Sequence, residues 1–239
     1  MGAGMSGSIE GQAVGQIVAA DWRAAAIFEQ FGIDFCCGGC QSVADACRSA
    51  GIAAAEVVRA LAELPSAEAD DEALQWPVDR LVDHIVQTHH AYVRSAVPRI
   101  AGYLRKVQEA HGARHPELAQ IAAEFGTLGR DLLEHLFKEE YVLFPYVRKL
   151  AGEGSPLSSP FGTVETPIRV MEREHESAGV HVGRIRRLTA GYTVPEDACT
   201  THRVCFEELA HFERDLMRHI HLEENVLFPK AVELEGART

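Results

Sequence analysis

Two short segments hold the residues best suited to chemistry. EHLFKEEYVLFP, residues 134–145, returns as RHIHLEENVLFP, residues 218–229, with the same offsets from histidine to glutamate to Leu-Phe-Pro. His135 and Glu139 stand four residues apart, as do His219 and Glu223, so a helix presents each pair from one face. One such pair is what an ordinary solvated helix offers. Two copies with matching flanks imply a shared partner, and imidazole nitrogen combined with carboxylate oxygen suits a first-row transition ion.

The chain around these segments has 239 residues, 46% hydrophobic and 24% charged, enough for a real core. A formal net charge of -12 leaves nothing to neutralise phosphates, which sets nucleic acid aside as a partner. No apolar run reaches membrane-spanning length and the N-terminus lacks a signal-peptide pattern, so no membrane partner is expected and the location expected is cytoplasmic. Six cysteines in a chain of this length are too few for a disulfide-built fold, and reduced thiols are expected.

Strand signals are absent, and the expected fold is all-α. Residues 1–64 read as a small helical domain around the Cys/Gly loop IDFCCGGCQ, and residues 65–76, containing PSAEADDEA, as a linker. Residues 77–239 carry four long helical patterns, at about 77–111, 115–151, 164–191 and 195–233. Two consecutive hairpins of this kind make an up-down four-helix bundle from a duplicated half.

Steps of three and four mark the stripes that such a bundle buries. Leu118, Ile121, Phe125, Leu128, Leu132, His135, Glu139, Val142 and Tyr146 form one; Cys205, Leu209, Phe212, Leu216, His219, Glu223 and Val226 form another. Ile168, Met171, His175, Ala178, Val182 and Ile185 place His175 on a third. In the first helical pattern, Leu81, His84, Thr88 and Ala91 place His84 on the inner face, beside Val78 and Ile85. His89 and His90 fall off the stripes and read as surface or supporting groups, and His221, two residues past His219, faces the opposite side. Glu140 and Glu224, at i+5 from their histidines, rank behind Glu139 and Glu223.

Burying four histidines and two carboxylates costs free energy unless they are paired or metal-bound. His84, His135, Glu139, His175, His219 and Glu223 form a candidate site for two metals, each taking two imidazoles and an oxygen from each glutamate. Iron is the metal expected, because zinc prefers tetrahedral sites and magnesium or calcium avoids four nitrogens. Pro145 and Pro229 sit inside helical patterns and should bend them just beyond the site. Cys37-x-x-Cys40 alone is half a zinc site or a redox pair, and Cys47 could join it.

With GIDFCCGG in an N-terminal module and two H-x-x-x-E…LFP segments in a bundle, the chain resembles the iron-sulfur cluster repair di-iron family over nearly its whole length. The resemblance implies a small helical domain followed by a hemerythrin-like bundle. It also implies two iron ions in an oxo- or hydroxo-bridged non-haem centre on the same six residues, and a thiol role for Cys36 and Cys37.

The function implied is repair of clusters damaged by nitrosative or oxidative stress, by supplying iron, with damaged or apo iron-sulfur proteins as partners. The alternative is a gas-handling protein that binds nitric oxide or dioxygen, or reduces nitric oxide. A homodimer is admitted as well. Ferritin-like oxidases fit less well, since their Glu-x-x-His spacing is not seen here.

Overall fold

The computed structural model describes residues 9–20, 24–33, 41–64, 72–73, 75–152 and 161–238. They fall into two compact units, Met1–Leu74 and Gln75–Thr239. No strand occurs among the described residues, where one isolated bridge joins Ala13 and Ser42. No helix among them is long and apolar enough to cross a membrane.

The first unit is built from α1 (Val14–Ala20), α2 (Ala24–Gln30), α3 (Val43–Ala50) and α4 (Ala54–Ala62). Ser42 starts α3 because its Oγ accepts from the Asp45 N–H at 3.1 Å, satisfying a donor that the helix leaves free. Gly51 ends it in the left-handed region, φ 71°, where a side chain would be strained. Val14, Phe28, Val43, Cys47 and Val57 make the core. Cys47 is therefore a packing residue, and burial, with the charge of Glu10, pushes its thiol up. The candidate thiols Cys36, Cys37 and Cys40 lie outside the described residues.

The second unit is the four-helix bundle. Its first rod joins α5 (Val78–His84), a π-helical segment at Ile85–His90 and α6 (Ala91–His111). The second joins α7 (Glu117–Lys138), a π segment at Glu139–Leu143 and α8 (Phe144–Ala151). The third is α9 (Glu165–Leu188). The fourth joins α10 (Thr200–Leu222), a π segment at Glu223–Leu227 and α11 (Phe228–Gly236).

Helix α6 packs against α7 and α10, and α7 against α9. The core between them holds Ile100, Leu104, Leu118, Ile121, Phe125, Leu209 and Phe212. Each fully buried aliphatic or aromatic side chain there stabilises the fold by about 1.5–3 kcal/mol.

The π segments follow from the sequence in two of the three rods. Pro145 has no N–H to donate to Tyr141 four residues back, and its ring crowds that carbonyl. The backbone responds by widening one turn, so the Phe144 N–H bonds to the Glu139 carbonyl five residues back. Phe228 and Glu223 repeat this before Pro229. The prolines expected to bend the helices thus stand just after widened turns, and both turns begin at the glutamates of the repeated motif. The widening also ends the stripe in the second rod: Val142 is 46% exposed while Leu143 and Phe144 are buried.

Candidate metal centre

The two glutamates are fully buried in the bundle interior. His135 faces inward from the end of α7 and Glu139 from the π segment that follows, His219 and Glu223 do the same from α10 and its π segment, and His175 enters from α9. The lone histidine of the first rod is His90, not His84. Expected from a strict three-and-four stripe, His84 is half-buried at the edge, its ring packed against Trp76 and His89 at 5.1 and 5.6 Å. Thr88 and Ala91 are exposed.

The cause is the π segment at Ile85–His90. Its wider turn, in which the Ala91 N–H reaches the Val86 carbonyl, inserts one residue and carries the inner face from Ile85 to His90. His89 and His90, expected off the stripe, are both buried. One sequence signal does single out His90. It precedes His135 by 45 residues, close to the 44 that separate His175 from His219, whereas His84 precedes His135 by 51.

Six side chains thus form two groups that share both glutamates: His90, His219, Glu139 and Glu223, and His135, His175, Glu139 and Glu223. Within each group the ligand atoms lie within 4.8 Å of one another. The Nε2 atoms of His90 and His219 are 3.1 Å apart, and so are those of His135 and His175. Glu139 Oε2 is 3.3 Å from both His90 Nε2 and His135 Nε2. Glu223 reaches His219 Nε2 at 2.9 Å through Oε1 and His175 Nε2 at 3.2 Å through Oε2.

The spacing and the orphaned atoms both fit metal ions. Two cis ligands at about 2.1 Å from an octahedral ion stand roughly 3.0 Å apart, close to the distances found here. Both oxygens of Glu139 and Oε2 of Glu223 have no hydrogen-bond partner although ring nitrogens stand nearby. Close approach without donor alignment is the geometry of lone pairs that converge on cations.

In the metal-free pocket the charges compensate one another. Burial opposes the protonated form of His90, but the nearby carboxylates of Glu139 and Glu223 outweigh it and lift the group to about 10. His175 is likewise lifted to about 10, against burial, by Glu223, Glu224 and Glu139. Burial favours the neutral carboxyls of Glu139 and Glu223, yet the surrounding imidazoles hold both below the usual carboxylate range. Burial keeps His219 low.

Around the six lies a set of orienting carboxylates. His135 Nδ1 donates to Glu174 Oε2 at 2.9 Å, His175 Nδ1 to Glu224 Oε1 at 2.9 Å, and His90 Nδ1 to Glu140 Oε1 at 2.7 Å. Such partners fix the tautomer that turns Nε2 toward a metal. Glu140 and Glu224, the register rivals, thus serve the same centre by holding the lone histidine of their own hairpin. Arg94 in turn holds Glu140 at 2.8 Å, and Lys138 holds Glu174 at 2.6 Å.

The Leu-Phe-Pro repeat has a matching role: Phe144 stacks on His90 at 5.7 Å and Phe228 on His175 at 6.2 Å. A cavity of about 230 Å³ between α7 and α9 opens beside His135, lined also by Leu132, Lys138, Glu174, Ala178 and His181.

Residues 81–231 match the Hemerythrin HHE cation binding domain, and residues 10–65 match ScdA_N, a domain of unknown function (DUF542). Among relatives, the chain is similar to the iron-sulfur cluster repair protein YtfE of Yersinia pestis (strain Pestoides F). The two are 33% identical over 222 residues, 92% of this chain and 96% of the relative. The same protein of Yersinia pseudotuberculosis serotype O:3 (strain YPIII) matches with the same identity and coverage. With a ScdA_N domain followed by a hemerythrin HHE cation binding domain, the chain belongs to the iron-sulfur cluster repair protein family.

Proposed function

We propose that the protein repairs damaged iron-sulfur clusters and that its bundle holds two iron ions, one against His90 and His219 and one against His135 and His175, with Glu139 and Glu223 shared. The observation that carries this reading is the pair of buried groups with two glutamates in common. When bound, the irons supply a labile ferrous store and open positions for a small ligand. The chain's own part is to hold four imidazoles with Nε2 inward, exclude bulk water with Phe144 and Phe228, and balance charge with the two glutamates.

Each iron would have two nitrogen ligands from the chain, and release of that iron to an apo iron-sulfur protein is the transfer proposed. Cys36 and Cys37 are the thiols proposed to assist transfer, in the cytoplasm, where they stay reduced.

The test is transfer of iron from the loaded protein to an apo iron-sulfur enzyme, followed by recovery of that enzyme's activity. The wild type is expected to restore activity, the Cys36→Ser/Cys37→Ser variant to do so more slowly with its own iron content unchanged. No recovery with the wild type would overturn the proposal. The cavity beside His135 favours a second reading, in which nitric oxide or dioxygen reaches the centre. Absorption spectra of the anaerobic ferrous protein mixed with each gas test that reading, and a dioxygen adduct that reverses under vacuum would favour it over repair.

A further inference from the structure

An unbroken line of rings runs from the surface of the bundle to one imidazole of the centre. Trp76, half-buried just before α5, packs edge-on against His84 with ring centroids 5.1 Å apart. His84 packs edge-on against His89 at 5.6 Å, and His89 lies parallel to His219 at 5.5 Å. In three contacts the line passes from a ring that solvent reaches to a residue of the inner six.

His89 is the unusual member. It is 4% exposed, its Nδ1 is held by Asp215 Oδ1 at 3.0 Å, and its Nε2 has no hydrogen-bond partner. An unsatisfied buried nitrogen costs free energy that a leucine would not, so the ring serves something other than packing. It belongs to neither group of ligand atoms that could hold a metal. The other three inner imidazoles each have a carboxylate at Nδ1, whereas His219 has this ring beside it. Two further rings lie against the centre, Phe144 on His90 and Phe228 on His175, and both are buried phenylalanines, which resist oxidation.

The outer end of the line differs in chemistry. Indole gives up an electron more readily than neutral imidazole or phenyl, so positive charge that leaves the centre along these rings comes to rest on Trp76. The Asp215 carboxylate fixes the His89 ring and favours the passage of positive charge past it. Burial, then His89 and Arg80, hold the His84 imidazole low and therefore neutral. The Arg80 guanidinium lies over the Trp76 ring at 4.0 Å, and a cation there drives an oxidised indole to lose its N–H proton rather than keep a positive charge.

We propose that Trp76, His84 and His89 form an electron path that protects the centre from peroxide, with Trp76 as the expendable donor and a thiol as the reductant that restores it. The inference rests on the reading that the bundle holds iron. Hydrogen peroxide becomes two waters by taking up two electrons and two protons. Where a bound ferrous ion supplies one electron and becomes ferric, the second is otherwise taken from a ligand side chain by hydroxyl radical. Along the line of rings it comes instead from Trp76, whose indole N–H gives up one of the two protons while solvent gives the other. The neutral indole radical then takes one electron and one proton from a thiol, and the thiyl radicals so formed pair as a disulfide. No bond forms or breaks at His84 or His89.

The test is peptide mass spectrometry of the anaerobic ferrous protein after one addition of hydrogen peroxide, with ethanol present to intercept free hydroxyl radical and air then admitted to fix the indole radical as an oxygenated product. Trp76 is expected to carry added oxygen, while Trp22, the other tryptophan, and Trp76 of the metal-free protein stay unmodified. Added thiol should suppress the modification. His84→Ala breaks the line and is expected to cut Trp76 oxidation several-fold with iron content unchanged, and His84→Phe, which restores a ring, to recover most of it. Trp76→Phe should move the added oxygen onto the inner histidines and increase the iron lost to each addition of peroxide. Trp76 oxidised equally with and without iron, or equally in His84→Ala and the wild type, would overturn the proposal. A chain that takes up no iron fails the reading on which the inference rests, whereas bound iron with unmodified Trp76 fails the inference alone.

Discussion

His89 lies parallel to His219, ring centroids 5.5 Å apart and planes 1° from parallel, and His219 Nδ1 has no hydrogen-bond acceptor. The duplicated halves explain why. Glu174 precedes His175 and accepts from His135, whereas His89 precedes His90 and stacks on His219 with its own Nδ1 committed to Asp215 at 3.0 Å. The inner ligands are paired alike in both halves, and the orienting groups are not.

This asymmetry makes the His90/His219 position the weaker of the two. Chelator competition against the iron-loaded protein is expected to remove one equivalent about 10-fold to 100-fold faster than the other. His89→Glu, which restores an acceptor at the place Glu174 holds in the other half, should narrow the gap. Single-phase removal from the wild type would contradict the assignment.

Substitution separates His90 from His84. His90→Ala is expected to lower iron content by at least one equivalent per chain, and His84→Ala to leave it near the wild-type value, as read by metal analysis after purification. Retention of both irons in the His90 variant would return the ligand role to His84.

The glutamates should fall into two grades. Glu139→Ala and Glu223→Ala each remove an oxygen donor from both positions and should abolish stable iron binding. Glu140→Gln and Glu224→Gln alter only the hold on one imidazole, so a loss of about 10-fold to 100-fold in affinity is expected, measured by titration of the apoprotein with ferrous ion. Equal losses in the two grades would mean that the i+5 glutamates are ligands themselves.

The pocket's charges set the pH behaviour of the metal-free protein. His90, His175 and His135 are raised in the fold, so their contribution is complete below the unfolded value of about 6.5 and lost as pH rises, through about 10 for His90 and His175. Glu139 and Glu223 are depressed, so theirs is present above about 4.5 and lost as pH falls. His219, depressed, acts against the other three imidazoles. The thermal stability of the apoprotein, read by its denaturation temperature, should therefore fall both below about pH 4.5 and toward pH 10. Loading at neutral pH should release protons into a weakly buffered solution, since iron needs neutral imidazole. Uptake without proton release would exclude the charged pocket.

The all-α fold and five of the six inner residues were legible because hydrophobic period and repeated motifs act locally. Leu118 to Glu139 and Cys205 to Val226 obey one helical register, and the structure buries both runs. His90 was missed because a period argument presumes an unbroken α register, and the turn at Ile85–His90 has no proline to announce the change. The roles of Glu140, Glu174 and Glu224 depend on contacts between rods, which no single-helix pattern contains.

The three π segments also bear on how such a chain can change over generations. Each is an α-helix with one residue inserted, and the insertion at Ile85–His90 sets which histidine points at the centre. A one-codon deletion within Ile85–His90 would be silent in composition and nearly silent in hydrophobicity, yet it would rotate every residue on one side of it by about 100° relative to the other. Insertions and deletions are commonly tolerated at loops and purged from helices for reasons of stability; here they would also re-select the ligands. A lineage could therefore exchange His90 for a neighbour by changing length alone, without substituting a single amino acid.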